Sequence, residues 1–355
     1  MALDQLTPDR NQSVIMALSA ERTAVVKGKA GTGKSFLLFK KAKQVSQKSD
    51  SFAIIVFTRS LKQFFVNELN EIDSSGKHVY YYKEWQRSQK PHYTYLFVDE
   101  CQDFGREEIE DFKSHGTYCW FFGDTDQSIM GFQNPNVQSV ETTAAQMGVH
   151  PKEIALGHRL TVENAKVGEY IKPSRGNSFT CVNHGSKPKL EQVEEDIFDI
   201  ALAKAIPQLD RIIEIIKNKQ LINVSILVYY NDSVEIVRDY LISKGIPVEW
   251  KTKDNMEIDF DSTNPKIVTW HCSKGLEFDD VFIPVCGIDE HMILRKINRP
   301  HPVDPMTDCA SALYVATTRP KKNLYLLYSN NLSPKLPSFG SDIYEGDEEE
   351  DVLPF

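Results

Sequence analysis

The chain has 355 residues, of which 41% are hydrophobic and 26% are charged, and its formal net charge is −9. This length allows two ordinary domains, each with its own core, and the composition is typical of a soluble globular protein. No apolar stretch is long enough to span a membrane, and the opening MALDQLTPDR lacks the features of a signal peptide. Six scattered cysteines without a C-x-x-C pair argue against a zinc site or disulfides. We therefore expect a cytoplasmic protein with no membrane partner.

Short apolar runs alternate with helix-compatible stretches along the chain. Strands are predicted from the runs at 25–26, 52–57, 95–98 and 118–122, and from a second series at 224–229, 267–270, 281–283 and 324–327. Continuous apolar strands separated by helices indicate parallel sheets covered on both faces. The sequence therefore predicts an α/β protein with two tandem domains, 1–150 and 151–335, joined near 148–160 and followed by a tail over 336–355.

The stretch GKAGTGKS, residues 28–35, follows the first apolar run and matches G-x-x-x-x-G-K-[ST]. In such a loop, backbone N–H groups and the lysine hold nucleotide phosphates, and the final hydroxyl binds Mg²⁺. We therefore expect Lys34 to contact the β and γ phosphates of ATP, and Ser35 to bind Mg²⁺. The residues assigned to the nucleotide are Gly28, Ala30, Gly31, Thr32, Gly33, Lys34 and Ser35.

An acid pair, Asp99 and Glu100, comes directly after the predicted strand at 95–98. A strand in that position delivers its last residues to the C-terminal edge of the sheet, where ligands of α/β proteins bind. We expect Asp99 to hold Mg²⁺ and Glu100 to act as the general base for the attacking water.

Seven motifs then follow one another in an order typical of a known family. VDECQDF (98–104) resembles the DEAQD-type Walker B motif of superfamily 1 helicases of the UvrD/Rep/PcrA kind. The other motifs are LTPDRNQSVI (6–15), FTRSL (57–61), GDTDQSI (123–129), ALGHR (155–159), VTWHCSKGLEFDDVF (268–282) and LYVATTRPKKNLYL (313–326). The resemblance covers nearly the whole body and implies two RecA-like P-loop domains.

The resemblance also assigns roles to individual residues. Gln12 stands at the position that reads adenine, and Gln127 at the position that senses the γ-phosphate. In the second domain, Gly275 and Glu277 are assigned to the nucleotide, with Glu277 at the ribose-contacting position. Arg159 is expected to contact phosphate, and Arg319 is expected to be the arginine finger. Arginines that reach phosphate only when two domains close make hydrolysis depend on closure, which predicts a nucleotide-driven clamp on a single strand.

Contacts to that strand are expected from aromatic faces, hydroxyls and cations. The candidates are Phe57, Thr58, Arg59, Phe132, Thr269 and His271; the alternative interpretation is that they are core aromatics and loop hydroxyls. Three positions depart from the family's pattern: Met130 replaces a common tyrosine, Gln133 replaces an arginine, and His158 replaces the tyrosine that stacks on adenine.

Two insertions of UvrD-like helicases, 1B and 2B, have no counterpart of their size. Only 70–94 stands in place of the first and only 248–265 in place of the second, and both stretches are too short to form a domain. The chain thus resembles a minimal two-domain motor. We expect an ATPase stimulated by single-stranded DNA that unwinds duplex poorly on its own.

The end of the chain is acidic, with seven Asp or Glu and no Lys or Arg within 336–355. Such a run is typical of a disordered, solubilising tail. Its last residues, DEEEDVLPF, also resemble the C-terminal tip of bacterial single-stranded DNA-binding protein, which implies docking to a protein partner. A third interpretation is that the acids compete with DNA for the motor's own basic groove.

The leading hypothesis is an ATP-dependent translocase or helicase acting on single-stranded DNA. One alternative is an ATP-gated nucleic-acid-binding switch in a larger repair or defence complex. The other is an RNA-directed ATPase, because none of these motifs reads the 2′-OH.

Overall fold

The computed structural model describes residues 7–48, 51–69, 76–130, 136–173, 180–193, 206–252, 258–259, 261–288, 290–292 and 309–345. They form two compact units: unit 1 ends at His158 and unit 2 begins at Arg159, while Thr180 belongs to unit 1 and Cys181 to unit 2. Among these residues, every helix is too short or too polar to span a lipid bilayer.

Unit 1 is an α/β sandwich around one six-stranded sheet. Its strands are β1 (Ala24–Gly28), β2 (Phe52–Val56), β3 (Val79–Tyr81), β4 (Tyr93–Val98), β5 (Gly116–Gly123) and β6 (Lys152–Ile154), and its helices are α1 (Arg10–Ala17), α2 (Lys34–Ser46), α3 (Arg59–Glu68), α4 (Tyr82–Arg87), α5 (Arg106–His115) and α6 (Val140–Gln146). The sheet order is β3-β2-β4-β5-β1-β6, with all neighbours parallel. Because β6 pairs with β1, residues 151–158 belong to unit 1 and not to the second domain, where the sequence analysis placed them.

The core of unit 1 lies on both faces of this sheet. Successive side chains of a strand point to opposite faces, so Val25 and Val26 are both fully buried but belong to different clusters. Val26 packs in a cluster with Leu37 of α2, and Val25 packs in one with Phe112 of α5. The predicted parallel sheet with both faces covered is confirmed.

Unit 2 repeats this architecture. The chain enters it within β7 (Leu156–Thr161), which forms a two-stranded sheet with β8 (Thr180–Asn183). The remaining strands are β9 (Lys189–Gln192), β10 (Val224–Val228), β11 (Glu249–Trp250), β12 (Lys266–Thr269), β13 (Phe278–Ile283) and β14 (Pro320–Tyr328), and the helices are α7 (Val162–Ile171), α8 (Pro207–Lys219), α9 (Asn231–Ser243) and α10 (Ala310–Thr317). The six strands β9 to β14 form a parallel sheet with the order β11-β12-β10-β13-β14-β9.

Residues 336–345, which the sequence analysis assigned to the acidic tail, pack within unit 2. Leu336 and Tyr344 are buried, and the Glu345 carboxylate pairs with the Lys189 ammonium of β9 at 2.6 Å. Apolar burial and this ion pair hold the segment against the sheet. The rest of the predicted tail, 346–355, lies outside the described residues.

Candidate functional site

The loop predicted to bind phosphate, residues 28–35, runs from the end of β1 to the start of α2. Gly31 and Gly33 have φ angles of +76° and +85°, a left-handed conformation that glycine adopts without strain. Gly28 also permits a close approach, since a Cβ atom there would lie 2.4 Å from the Thr32 hydroxyl. Ala30 is buried within the same loop.

Lys34 and Ser35 begin α2 and point in different directions. The Lys34 ammonium donates to the carbonyl oxygens of Gly28 (2.8 Å) and Lys29 (3.1 Å), so it lies against the loop that should hold the phosphates. The Ser35 hydroxyl donates to Asp99 Oδ2 at 2.9 Å. The loop and the acid pair, 64 residues apart in sequence, are therefore neighbours in space.

Asp99 and Glu100 stand just beyond the C-terminal end of β4. Asp99 is fully buried, and this burial together with the charge of Glu100 raises the pKa of Asp99 to about 7, although Ser35 and Lys34 act in the opposite direction. Glu100 has a φ of +53°, which turns the chain sharply after the strand. The hydroxyl of Ser35 and the carboxylate of Asp99 are the hard oxygen donors that Mg²⁺ prefers, so this pair fits that ion.

A polar network that the sequence analysis missed connects Glu100 to Gln127. The fully buried Gln102 amide donates to Glu100 Oε2 at 2.6 Å and accepts from the Asp124 backbone N–H at 3.0 Å. Asp124 Oδ2 in turn accepts from the Gln127 amide at 2.9 Å. Burial raises the pKa of Asp124, and Lys34 lies near enough to oppose this shift. The sequence signal for this network was Gln102, a glutamine two residues after the acid pair in VDECQDF.

Gln12 also lies at the loop. Its amide donates to the Thr32 carbonyl at 2.9 Å and accepts from the Asp9 backbone N–H at 3.0 Å. His158 joins the same group of residues, because its backbone N–H donates to the Gly31 carbonyl at 2.8 Å and its ring Nε2 lies 2.5 Å from Asp9 Oδ2. Unit 1 thus brings together Gln12, the whole loop, Asp99, Glu100 and Gln127.

Unit 2 brings Arg159 and Glu277 together. The Arg159 guanidinium donates twice to Glu277 Oε1, from Nε at 2.8 Å and from Nη2 at 2.6 Å, and the Lys321 ammonium lies 3.4 Å from Oε2. Desolvation alone would raise the pKa of Glu277, whose side chain is 41% exposed, but these two cations lower that pKa to about 2. Gly275, with a φ of +80°, forms the turn that precedes this glutamate.

Arg319 is buried at the C-terminal end of α10. Its guanidinium donates from Nε to the Val315 carbonyl at 2.8 Å, from Nη2 to the Thr318 hydroxyl at 3.1 Å, and from Nη1 to the Leu276 carbonyl at 3.4 Å. These bonds fix its orientation within unit 2. Its role as an arginine finger stays a prediction.

The candidate strand contacts in unit 1 have structural partners. The Thr58 hydroxyl caps α3 by accepting from the Leu61 N–H at 3.2 Å. The Phe57 ring packs on Tyr82 and Phe104, with centroids 6.1 and 5.3 Å away. Exposed Arg59 places its guanidinium 5.6 Å from the ring centroid of Tyr81. A role in nucleic-acid binding stays a prediction for all three.

In unit 2, Thr269 is the last residue of β12, and His271 belongs to the turn that follows. The Thr269 hydroxyl accepts from the Cys272 N–H at 3.1 Å. Burial, assisted by the charge of Lys274, lowers the pKa of His271 to about 4, so the imidazole is neutral near pH 7. Its ring meets Tyr229 edge-on at 5.4 Å. Phe132, the remaining candidate, lies outside the described residues, as does Gln133.

Comparisons with known families agree with this arrangement. The family model of the viral superfamily 1 RNA helicase core domain matches residues 24–205, which is just over half of the chain. The model of the UvrD-like helicase C-terminal domain matches residues 248–331.

Individual relatives have low sequence identity to this chain. A protein of Acanthamoeba polyphaga mimivirus, named as an ATP-dependent DNA helicase, is 26% identical over 67% of this chain, and this chain spans only 35% of that protein. Among solved structures, arterivirus nonstructural protein 10, a helicase, is 16% identical with a TM-score of 0.47, covering 95% of this chain and 66% of its own. The PRRSV helicase is 13% identical with a TM-score of 0.48, covering 93% and 58%.

Proposed function

The chain belongs to the superfamily 1 helicases, and from this membership we propose that it is an ATP-dependent translocase acting on single-stranded DNA. The observation that carries the proposal is the continuous set of contacts in unit 1 from the phosphate loop to the acid pair and Gln127. Ser35 reaches Asp99, Gln102 reaches Glu100, and Asp124 joins Gln102 to Gln127. A pocket that only binds nucleotide would not require hydrogen bonds that connect a general base, Glu100, to a γ-phosphate sensor, Gln127.

In the proposed reaction, water attacks the γ-phosphorus of ATP, and the bond to the β,γ-bridging oxygen breaks to give ADP and phosphate. Glu100 accepts the proton of the attacking water, with its carboxylate oriented by the Gln102 amide. Lys34 neutralises charge on the β and γ phosphates. A magnesium ion held by Ser35 and Asp99 would neutralise more of that charge.

Coupling of hydrolysis to movement is the finer part of the proposal. Arg159 and Arg319 belong to unit 2, whereas the loop, the base and Gln127 belong to unit 1. If the arginines complete the phosphate site, hydrolysis requires the two units to come together, and product release lets them part. A strand bound by both units would then be gripped and released once in each cycle.

ATPase measurements with different polymers test this proposal. Hydrolysis should rise with poly-dT over the rate without polymer and stay unstimulated by poly-U, and Lys34→Ala should abolish it. Equal stimulation by poly-dT and poly-U would favour an RNA-directed ATPase, a second candidate supported by the match to a viral RNA helicase model. Stimulation by neither polymer would contradict translocation and favour an ATP-gated binding switch.

The acidic end adds a proposal about partners. We propose that DEEEDVLPF binds a protein partner through its apolar tip and its charges. Deleting 346–355 should abolish capture of replication or repair proteins without changing the ATPase rate. A higher DNA-stimulated rate at low salt after the deletion would instead support self-inhibition, and no change in either property would leave a solubilising role.

A further inference from the structure

Three consecutive residues at the start of β13 bond both of the arginines that are predicted to contact phosphate. The Leu276 carbonyl accepts from Arg319 Nη1 at 3.4 Å, and the Phe278 N–H donates to the Arg319 carbonyl at 3.3 Å. Between them, the Glu277 carboxylate accepts from Nε and Nη2 of Arg159 at 2.8 and 2.6 Å. One short segment of unit 2 therefore holds both arginines.

The two oxygens of the Glu277 carboxylate face different cations. Oε1 accepts both bonds from Arg159, whereas the Lys321 ammonium lies 3.4 Å from Oε2. Because the pKa of Glu277 is lowered to about 2, the carboxylate is ionised at neutral pH, and its hydrogen bonds to a guanidinium are of the strong, charge-assisted kind. A guanidinium has five N–H groups, and this pairing uses one on Nε and one on Nη2. The pairing therefore fixes one edge of the Arg159 fork and leaves the N–H groups of Nη1 for a phosphate.

We propose that Glu277 is a positioning residue for Arg159, and that its contribution to hydrolysis does not require the hydroxyl groups of the ribose. The inference deepens the proposed function, on which it rests, because Arg159 is a phosphate contact there. An arginine side chain has many rotamers, and binding a phosphate restricts them at an entropic cost. Glu277 restricts these rotamers before the nucleotide binds, and the bonds of Leu276 and Phe278 to Arg319 keep the backbone of Glu277 in place.

A substrate without ribose hydroxyls separates the two roles of Glu277. Glu277→Gln keeps the size of the side chain but removes its charge, so kcat/KM for ATP at saturating poly-dT should fall about tenfold. The decrease for 2′,3′-dideoxy-ATP should agree with that factor within about threefold, because Arg159 meets the same phosphates in both substrates. If Glu277→Gln slowed hydrolysis of ATP alone, Glu277 would be a ribose contact and the inference would be wrong. The matched control is Glu191→Gln, which loses a bond from Arg211 Nε elsewhere in unit 2 and should have wild-type values for both substrates.

A double-mutant cycle identifies the residue through which Glu277 acts. Arg159→Ala should lower kcat/KM at least as much as Glu277→Gln does. Adding Glu277→Gln to Arg159→Ala should then change kcat/KM by less than about twofold, because the group to be positioned is already gone. A further decrease of about tenfold in the double variant would mean that Glu277 acts independently of Arg159. That result would overturn the inference, and so would wild-type hydrolysis by Arg159→Ala.

Failure of the proposed function gives a different result. Hydrolysis that persists in Lys34→Ala, or that poly-dT does not stimulate, would contradict the proposed function itself. A poly-dT-stimulated activity that Lys34→Ala abolishes, together with an effect of Glu277→Gln confined to ATP, would contradict only this inference.

A second variant covers the case in which Glu277→Gln does not fold, as judged by its melting temperature. Glu277→Asp keeps the charge, but its side chain is shorter by one methylene, so it should lose the bonds from Arg159. It should slow hydrolysis of ATP and of dideoxy-ATP by the same factor, and an effect confined to ATP would count against the inference.

Discussion

Replacing Gln102 by methionine should slow ATP hydrolysis while leaving nucleotide binding nearly intact. The substitution keeps the length of the side chain but removes the 2.6 Å hydrogen bond to Glu100 and the bond from the Asp124 N–H. A buried hydrogen bond to a charged group contributes about 1.5–3 kcal/mol, which corresponds to a decrease in kcat of about 10- to 150-fold. The KM for ATP should change less than about threefold, because Gln102 contacts Glu100, the proposed general base, and not the loop at 28–35.

Two further variants sharpen this experiment. Gln102→Glu keeps an acceptor for the Asp124 N–H but replaces the donor to Glu100 with a second acid, so it should be at least as slow as Gln102→Met. Gln146→Met, on α6, removes an amide bonded to α5 and should have the wild-type rate. Single-turnover hydrolysis measures the chemical step, and thermal melting checks the fold. If Gln102→Met kept a single-turnover rate within about twofold of wild type, orientation of Glu100 by Gln102 would be refuted.

Four other results are expected. The apparent affinity for Mg²⁺ at a fixed ATP concentration should rise between about pH 6 and pH 8, because the pKa of Asp99 is raised to about 7 and its proton competes with the metal. Isothermal titration calorimetry measures this affinity, and an affinity that did not change with pH would contradict the prediction. Lys41→Met should lower the free energy of unfolding by about 1–3 kcal/mol, through loss of the bonds to Met16 and Leu18. Burial lowers the pKa of Lys41 from 10.5 to about 8, so between these pH values the unfolded state binds more protons than the folded state, and the stability of the wild type should rise with pH relative to Lys41→Met. Urea titrations at pH 7.5 and 9.5 measure both the loss of stability in Lys41→Met and this pH dependence. An equal difference in stability between the two proteins at both pH values would contradict the pH dependence. Finally, a strand-displacement assay without partners should show little unwinding of a long duplex, and efficient unwinding would contradict the minimal-motor prediction.

The internal strands of both sheets could be predicted from sequence because they are buried on both faces and read as continuous apolar runs. Strands β3, β6, β9 and β11, each at or near a sheet edge, were not predicted. They have only two to four residues, too few to establish a period, and they are ordered by pairing with longer neighbours. This explains why the boundary between the units was placed too early, before β6.

The sequence proposed the site residues one by one but did not predict the contacts among them. Lys34, Ser35, Asp99 and Glu100 follow from local patterns in which a strand precedes a turn. The pairing of Arg159 with Glu277 spans 118 positions in sequence, and the contacts of Gln12 depend on where α1 docks. Local spacing carries no information about such long-range contacts. The family resemblance assigned a role to each residue but did not indicate which residues it contacts.

The connection between the two units has one further consequence. His158 bonds to Gly31 of the phosphate loop within unit 1, and the very next residue, Arg159, bonds to Glu277 within unit 2. Two consecutive residues, separated by a single peptide bond, are thus each anchored beside a predicted nucleotide contact. Along the chain, no residue therefore separates the contact of His158 with the loop in unit 1 from the contact of Arg159 with Glu277 in unit 2.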